Sequence, residues 1–319
     1  MAMSYNNTVN TQRVVSCAAP NKPVVLVDWG TSSLRVWCIS ANGNIVDRFS
    51  GPLGLSGLAR DDFERVLEEQ LSNLCVGSEV PAVICGMAGA AQGWYEAPYI
   101  STPCTLSGLG RSAVKVPSAK RDVWILPGIM QLTPGNVMRG EETQLLGLHG
   151  VQPDFNGVVC LPGTHSKWVR VQEGRVEQFT TCMTGEFFGL LSQQSVLKHS
   201  VDGDGWNDTA FNTAVSEMIA TPEKFADTLF SLRADRLLAD LSPAEARGRL
   251  SGLLVGIELA ATRAYWSENP VALLGDSSLC SHYAAALTLQ AVSIESIESE
   301  ATTIAGLCAA FLEIQERYQ

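Results

Sequence analysis

The sequence predicts an α/β fold built from two duplicated halves. Apolar strands alternate with amphipathic helical stretches along the chain, which is the α/β signature. The run Val24-Val25-Leu26-Val27-Asp28-Trp29-Gly30-Thr31-Ser32-Ser33-Leu34-Arg35-Val36-Trp37 follows the same scheme as Val158-Val159-Cys160-Leu161-Pro162-Gly163-Thr164-His165-Ser166-Lys167-Trp168-Val169-Arg170. Each copy is an apolar strand, a Gly-Thr turn with hydroxyl residues, and a second strand carrying Trp and a basic residue. Each then runs through another glycine turn (Asn42-Gly43-Asn44, Glu173-Gly174-Arg175) into a third strand. At 319 residues with 46% hydrophobic side chains, the chain is long enough for two cores.

Residues 1–21, rich in Asn, Thr and Ser, read as a disordered tail. The first half is expected over 22–148 and the second over 149–319. Strands are predicted at 23–28, 34–40 and 45–50. Phe63, Val66, Leu67, Leu71 and Leu74 recur at helical spacing and predict a helix over 60–75. Ala82–Cys85 is a short buried strand that runs into the Gly86–Tyr99 loop, whose small residues permit close approach of a ligand and whose Trp94 and Tyr99 can wall a pocket. A packed surface loop is the alternative for this stretch. Val123–Leu126 is a further strand, and Glu141-Glu142-Thr143 opens a helix in which acidic side chains favour the N-terminal dipole.

In the second half the strand pattern covers 157–180. A helix then starts with Thr184 as its cap and Glu186 in its first turn. Residues 203–268 are largely helical with a break at Pro243. Val271–Leu274 is a buried strand leading to Gly275-Asp276-Ser277, and a helix over 300–317 closes the chain.

The repeated turns carry the chemistry. Backbone N–H groups and hydroxyls in such a turn donate to phosphate oxygens, and a strand-end carboxylate such as Asp28 can hold hydrated Mg²⁺. An ordinary hairpin is the alternative for one copy, and the second copy counts against it. Glu141 and Glu142 are either dipole partners of their helix or a base that takes a proton from an attacking hydroxyl.

Several classes are excluded. A formal charge of -11 argues against nucleic-acid binding, while leaving room for an anionic small molecule at a locally positive site. The nine cysteines never form Cys-x-x-Cys, so buried thiols in a reducing cytoplasm are expected rather than a zinc ribbon. No run reaches the roughly 20 apolar residues of a membrane span. No Gly-x-x-x-x-Gly-Lys-Ser/Thr occurs, no Gly-x-Ser-x-Gly elbow occurs, and Gly108–Ala113 fits a dinucleotide fingerprint only without the strand that must precede it.

Taken in order, Asp-Trp-Gly-Thr, Gly-Met-Ala-Gly with Gly-Trp and Ala-Pro-Tyr, Met-Arg-Gly-Glu-Glu-Thr-Gln, Pro-Gly-Thr-His-Ser-Lys-Trp and Thr-Gly-Glu resemble the 2-dehydro-3-deoxygalactonokinase family, over residues 22–319. That family lies in the superfamily of sugar kinases, actin and heat-shock-protein ATPase domains. The resemblance implies two actin-like (ribonuclease H-like) domains flanking an ATP cleft, with ATP and Mg²⁺ as cofactors. It implies phosphorylation of the terminal (6-) hydroxyl of 2-dehydro-3-deoxy-D-galactonate, a small-molecule sugar acid, in the cytoplasm. Under it, Asp28 holds Mg²⁺; Gly30, Thr31, Ser32 and Ser33 cradle phosphates, joined by Gly163, Thr164 and Ser166, with Lys167 adding charge or standing solvated. Gly275, Asp276 and Ser277 form the adenosine-contacting turn, although Asp276 stands where many members have glycine. Glu142 stands where hexokinase-like members place their aspartate base, with Glu141 as the alternative. Arg139 is the candidate for the substrate carboxylate, and Glu186, Gly89, Trp94 and Tyr99 for the rest of the sugar acid. Two other readings remain at this stage: a kinase of the same fold acting on a neutral hexose or amino sugar, and an idle actin-like ATP-binding protein. Whether the chain forms a homo-oligomer is left open.

Overall fold

The computed structural model describes residues 19–117 and 119–317, so the expected tail falls almost entirely outside the described residues. In chain order the first elements are β1 (Val24–Trp29), β2 (Leu34–Ile39), β3 (Ile45–Gly51), α1 (Asp62–Asn73), β4 (Ala82–Gly86), β5 (Tyr99–Ser101), β6 (Cys104–Thr105), β7 (Val114–Lys115), β8 (Val123–Ile125), β9 (Gly128–Gln131), β10 (Asn136–Met138) and α2 (Glu141–Val151). They continue as β11 (Gly157–Leu161), β12 (Ser166–Gln172), β13 (Arg175–Cys182), α3 (Thr184–Gln194), α4 (Lys198–Val201), α5 (Asp208–Ala220), α6 (Phe225–Leu238), α7 (Pro243–Ala261), α8 (Arg263–Trp266), β14 (Val271–Gly275), α9 (Ser277–Thr288), β15 (Ile294–Glu298) and α10 (Ser299–Arg317).

By contacts the chain forms two units, Met1–Asp154 with Glu300–Gln319, and Phe155–Ser299. The closing helix α10 therefore packs with the first unit, although the chain reaches it from the second.

The first unit is built on a sheet of order β3-β2-β1-β4-β8-β7. β1, β2 and β3 form an antiparallel meander, and β4 and β8 add in parallel. In the second unit β11, β12 and β13 form the same meander, and β14 and β15 add in parallel on the β11 side. The order β3-β2-β1-β4-β8 thus recurs as β13-β12-β11-β14-β15. Even the irregularity recurs, with a register shift at Cys38/Ile39 in one meander and at Arg170/Val171 in the other. This is the duplication that the two turn sequences predict, in the topology expected of the actin-like fold.

The helical spacing on α1 does what its pattern implies. Phe63, Val66, Leu67 and Leu71 enter one core with Val25, Val27, Trp29, Leu34 and Val36, and removing a ring such as Phe63 from this setting costs about 3–5 kcal/mol. In the second unit Trp168, Phe211, Val215, Leu259, Leu273 and Tyr283 form the corresponding core. Cys38, Cys85, Cys160 and Cys280 are buried and in no disulfide, as expected of thiols serving as small apolar groups.

Two features differ from the sequence expectation. Pro243 is the first residue of α7, where Ser242 and Glu245 form a reciprocal capping box, so the expected break is a helix start. Thr184 does not cap α3: Met183 holds the cap position without a side-chain bond, and the Thr184 hydroxyl donates to Glu258. Among the described residues no helix is long and apolar enough to cross a membrane.

Candidate active site

In the first unit the β1–β2 turn is a tight loop closed by the Gly30 N–H on the Ser33 carbonyl at 2.8 Å. It rests on the segment after β3, where Leu55 and Ser56 donate their N–H groups to the Gly30 and Thr31 carbonyls at 3.1 and 2.9 Å. Gly54 makes that contact possible, because a Cβ there would lie 2.4 Å from the Thr31 carbonyl oxygen. Thr31, Ser32 and Ser33 stay exposed, with their hydroxyls available to a ligand.

Asp28 ends β1 beside this turn. Its Oδ2 pairs with the Arg35 guanidinium at 2.5 Å, and its Oδ1 faces the Cys85 thiol at 3.8 Å. Burial raises the Asp28 pKa above the usual carboxylate value, and the Arg35 charge opposes that rise.

α2 brings the two glutamates to the same place. Gly140, at φ +110°, turns the chain into the helix, and its N–H donates to both oxygens of Glu142 at 2.9 and 2.7 Å. Glu142 is fully buried and its pKa is pushed up to about 8, first by burial and next by the neighbouring Glu141 charge. Glu141 is half-buried, and one of its oxygens accepts the Arg139 N–H at 3.0 Å. The buried Cys85 thiol faces Asp28 Oδ1, and burial, followed by the charges of Asp28 and Glu142, raises its pKa well above the usual thiol value.

Arg139 lies next to them. Its Nη2 donates to the Ala97 carbonyl at 2.8 Å and its guanidinium lies 4.3 Å from the Tyr99 ring centre, while Nε and Nη1 are buried with no hydrogen-bond partner among the described residues. Gly89 makes room for it, since a Cβ at that position would meet Nη1 at 2.8 Å. The predicted residues Gly89, Tyr99 and Arg139 are therefore one cluster. Trp94 does not join it: the indole packs against Phe63 and Trp29, each with ring centres 6.4 Å away, and belongs to the core. The Gly86–Tyr99 loop is also more ordered than its glycines suggest, containing a 3₁₀ turn at Met87–Gly89.

In the second unit the β11–β12 turn exposes Thr164 and half-exposes Gly163. The N-terminus of α3 packs directly on it: Glu186 N–H donates to the Thr164 carbonyl at 3.0 Å, and Gly185 leaves no space for a side chain, with Gly163 O only 2.4 Å from an added Cβ. The Glu186 carboxylate lies 2.5 Å from His165 Nε2, so it engages the turn itself.

Ser166 departs from expectation. It is fully buried, and its hydroxyl is bonded at 2.9 Å to the Tyr283 hydroxyl, so it faces the core and does not present its oxygen at the turn. Lys167 is not solvated either; it is 4% exposed, and Nζ donates to the His165 carbonyl at 3.0 Å.

A cavity of about 270 Å³ opens among α3, α7 and α9, with Gly163 of the turn on one side and Ser278 and Leu279 at the start of α9 on another. Asp276 does not itself line it. Its Oδ1 caps α9 by accepting the N–H groups of Ser278 and Leu279 at 3.0 and 3.1 Å, and this fixes the helix end that the cavity meets. Trp206 and His282 stack with ring centres 4.1 Å apart and planes at 23°, forming an aromatic wall, and Arg247 supplies a cation. Sequence spacing gives no sign of Trp206, Arg247 or His282, because α7, α9 and the loop before α5 bring them together from distant parts of the chain. A flat aromatic wall and a cation beside a phosphate-type turn suit a nucleotide.

Comparison with known proteins follows the same lines. The probable 2-dehydro-3-deoxygalactonokinase DgoK1 of Rhizobium meliloti (strain 1021) is 40% identical over 290 residues, covering 89% of this chain and 95% of that one. The 2-dehydro-3-deoxygalactonokinase of Escherichia coli (strain K12) is 30% identical over 286 residues, with the same coverage of 89% and 95%. A crystal structure of the like-named protein from Sinorhizobium meliloti superposes with a TM-score of 0.85 at 40% identity, covering 90% of this chain and 95% of that one. The family model described as 2-keto-3-deoxy-galactonokinase matches residues 28–310, from the strand-end aspartate through both turns and into α10. With that span and those relatives, the chain belongs to the 2-keto-3-deoxy-galactonokinase family.

Proposed function

We propose that the chain transfers the γ-phosphoryl group of ATP to the terminal (6-) hydroxyl of 2-dehydro-3-deoxy-D-galactonate. The observation that carries this reading is the second-unit cavity. It joins a phosphate-type turn to the end of α9 in a chain whose curated relatives bear the name of this activity. The nucleoside would occupy the cavity against Trp206 and His282. Gly30, Thr31, Ser32 and Ser33 in one unit, and Gly163 and Thr164 in the other, would each serve as a phosphate-holding turn.

Little covalent work falls to the protein in such a transfer, so orientation and charge stabilisation dominate. Arg139 would grip the substrate carboxylate, which would give its buried guanidinium a charged partner for a donor that has none among the described residues. Glu142 would take the proton from the attacking hydroxyl. Its raised pKa suits a base working near neutral pH, with Glu141 beside it.

Among the described residues no group of three or more His, Cys, Asp or Glu side chains could hold a metal ion. Mg²⁺ in phosphoryl transfer is held mainly by phosphates and water with one or two carboxylates. Asp28 fits that part through water at Oδ1, since Oδ2 is engaged by Arg35. The ion would neutralise charge on the phosphates.

A substrate panel with ATP and Mg²⁺ tests the substrate class. Arg139→Ala should raise KM for the sugar acid by about a hundredfold, the loss of a buried charge-assisted contact, and leave KM for ATP unchanged. Equal loss on neutral hexoses would contradict the carboxylate assignment.

A further inference from the structure

Glu258 sits on α7, 3% exposed, at the centre of a buried hydrogen-bond network that the phosphoryl-transfer chemistry does not use. Its Oε1 accepts the Trp168 indole N–H at 2.7 Å. Its Oε2 accepts the Tyr283 hydroxyl at 2.8 Å and also the Thr184 hydroxyl. The Tyr283 hydroxyl is in turn bonded to Ser166, the residue that follows the Gly163-Thr164-His165 turn. One carboxyl group thus ties together β12, α3, α7 and α9, and two of its partners, Thr184 and Tyr283, line the 270 Å³ cavity.

We infer that Glu258 is a positioning residue for the nucleotide, fixing the hydrogen-bond polarity of Thr184 and Tyr283 on the cavity wall. A carboxylate can only accept, so both hydroxyls must donate inward. Tyr283 then has only lone pairs left, which take the Ser166 proton, and Thr184 turns lone pairs toward the cavity. That wall is therefore an acceptor surface, complementary to the hydroxyl and amino donors of a nucleoside. Burial raises the Glu258 pKa above the usual carboxylate value, and its converging donors oppose that rise. A buried charge is a poor way to stabilise a core, because an apolar group of similar volume does as well without the desolvation cost, so a carboxylate here points to orientation and not to stability.

This inference rests on the reading of the cavity as the nucleotide site, and the experiment separates the two. Glu258→Gln in the full chain keeps an acceptor for Trp168 but supplies an N–H₂ group where Oε2 accepts two hydroxyls, so Thr184 and Tyr283 must turn their protons outward. The expected result is a KM for ATP, and a calorimetric Kd for ATP, raised about tenfold, as for one misdirected polar contact. The melting temperature and the KM for the sugar acid should stay near those of the unmodified chain. Tyr283→Phe, which removes one donor and keeps the ring, should shift the same two ATP constants by about threefold in the same direction. Unchanged ATP constants in either variant, or a loss confined to kcat, overturn the positioning role. Failure of the unmodified chain to bind ATP overturns the nucleotide reading and this inference with it.

Discussion

At Glu142 burial and function pull in opposite directions. The folded chain holds its proton to about pH 8, while the unfolded chain releases it near 4.5. Between those values the folded state binds the extra proton, so this group's contribution makes stability fall as pH rises from about 4.5 to about 8, by on the order of a few kcal/mol. Glu142→Gln should remove that slope, giving a melting temperature close to the unmodified chain at pH 5 and higher at pH 8. Activity should move the other way. If Glu142 is the base, kcat/KM of the unmodified chain rises with pH toward a plateau above pH 8, and Glu142→Gln lowers turnover by roughly 10²–10⁴. If Glu141→Gln is the damaging change, the base is Glu141. Asp28→Asn tests the neighbouring carboxylate: turnover should drop by at least about a hundredfold. The melting temperature should move little, because burial already opposes the Asp28 charge, Asn keeps the side chain's size, and the partly exposed Arg35 can turn to water.

The elements that carry these residues differ in how plainly the sequence announces them. β1 and β11 are continuous apolar runs and α1 shows its period, so local pattern alone places them. β5, β9 and β10 are only three or four residues long and exist through pairing with each other, which no local signal reports. β15 reads Ile-Glu-Ser-Ile-Glu, an edge strand whose acidic residues hide its pattern. Ser166 was legible as a turn hydroxyl but not as a buried one, because the Tyr283 that claims it lies 117 residues away. Two glycines give element-scale tests. A Cβ at Gly306 of α10 would lie 1.9 Å from the Thr143 carbonyl of α2, so Gly306→Ala must push apart the helices that set Glu141 and Glu142. It should destabilise by about 1–3 kcal/mol and lower kcat with little change in KM for ATP, measured by thermal melting and initial rates. Gly54→Ala should instead disturb the Gly30–Ser33 turn and raise KM for ATP.

At the scale of the whole molecule, duplication made the fold legible and left the ligand pockets to tertiary packing. Two copies of a meander followed by two parallel strands give two equivalent turns, at Gly30 and at Gly163. The surroundings of those turns then diverge: the first has gained the Arg139 cluster and the paired glutamates of α2, and the second the aromatic cavity bounded by α7 and α9. On this proposed division of labour, acceptor in one unit and nucleoside in the other, rests the proposed phosphoryl transfer to the sugar acid. The measurement that tests it most directly is ADP release by the purified chain with ATP and Mg²⁺, with and without 2-dehydro-3-deoxy-D-galactonate, paired with phosphorus NMR of the product. ADP is expected only when the sugar acid is present, one for each 6-phosphate ester formed; ADP release indifferent to the sugar acid, or none at all, would overturn the proposed transfer.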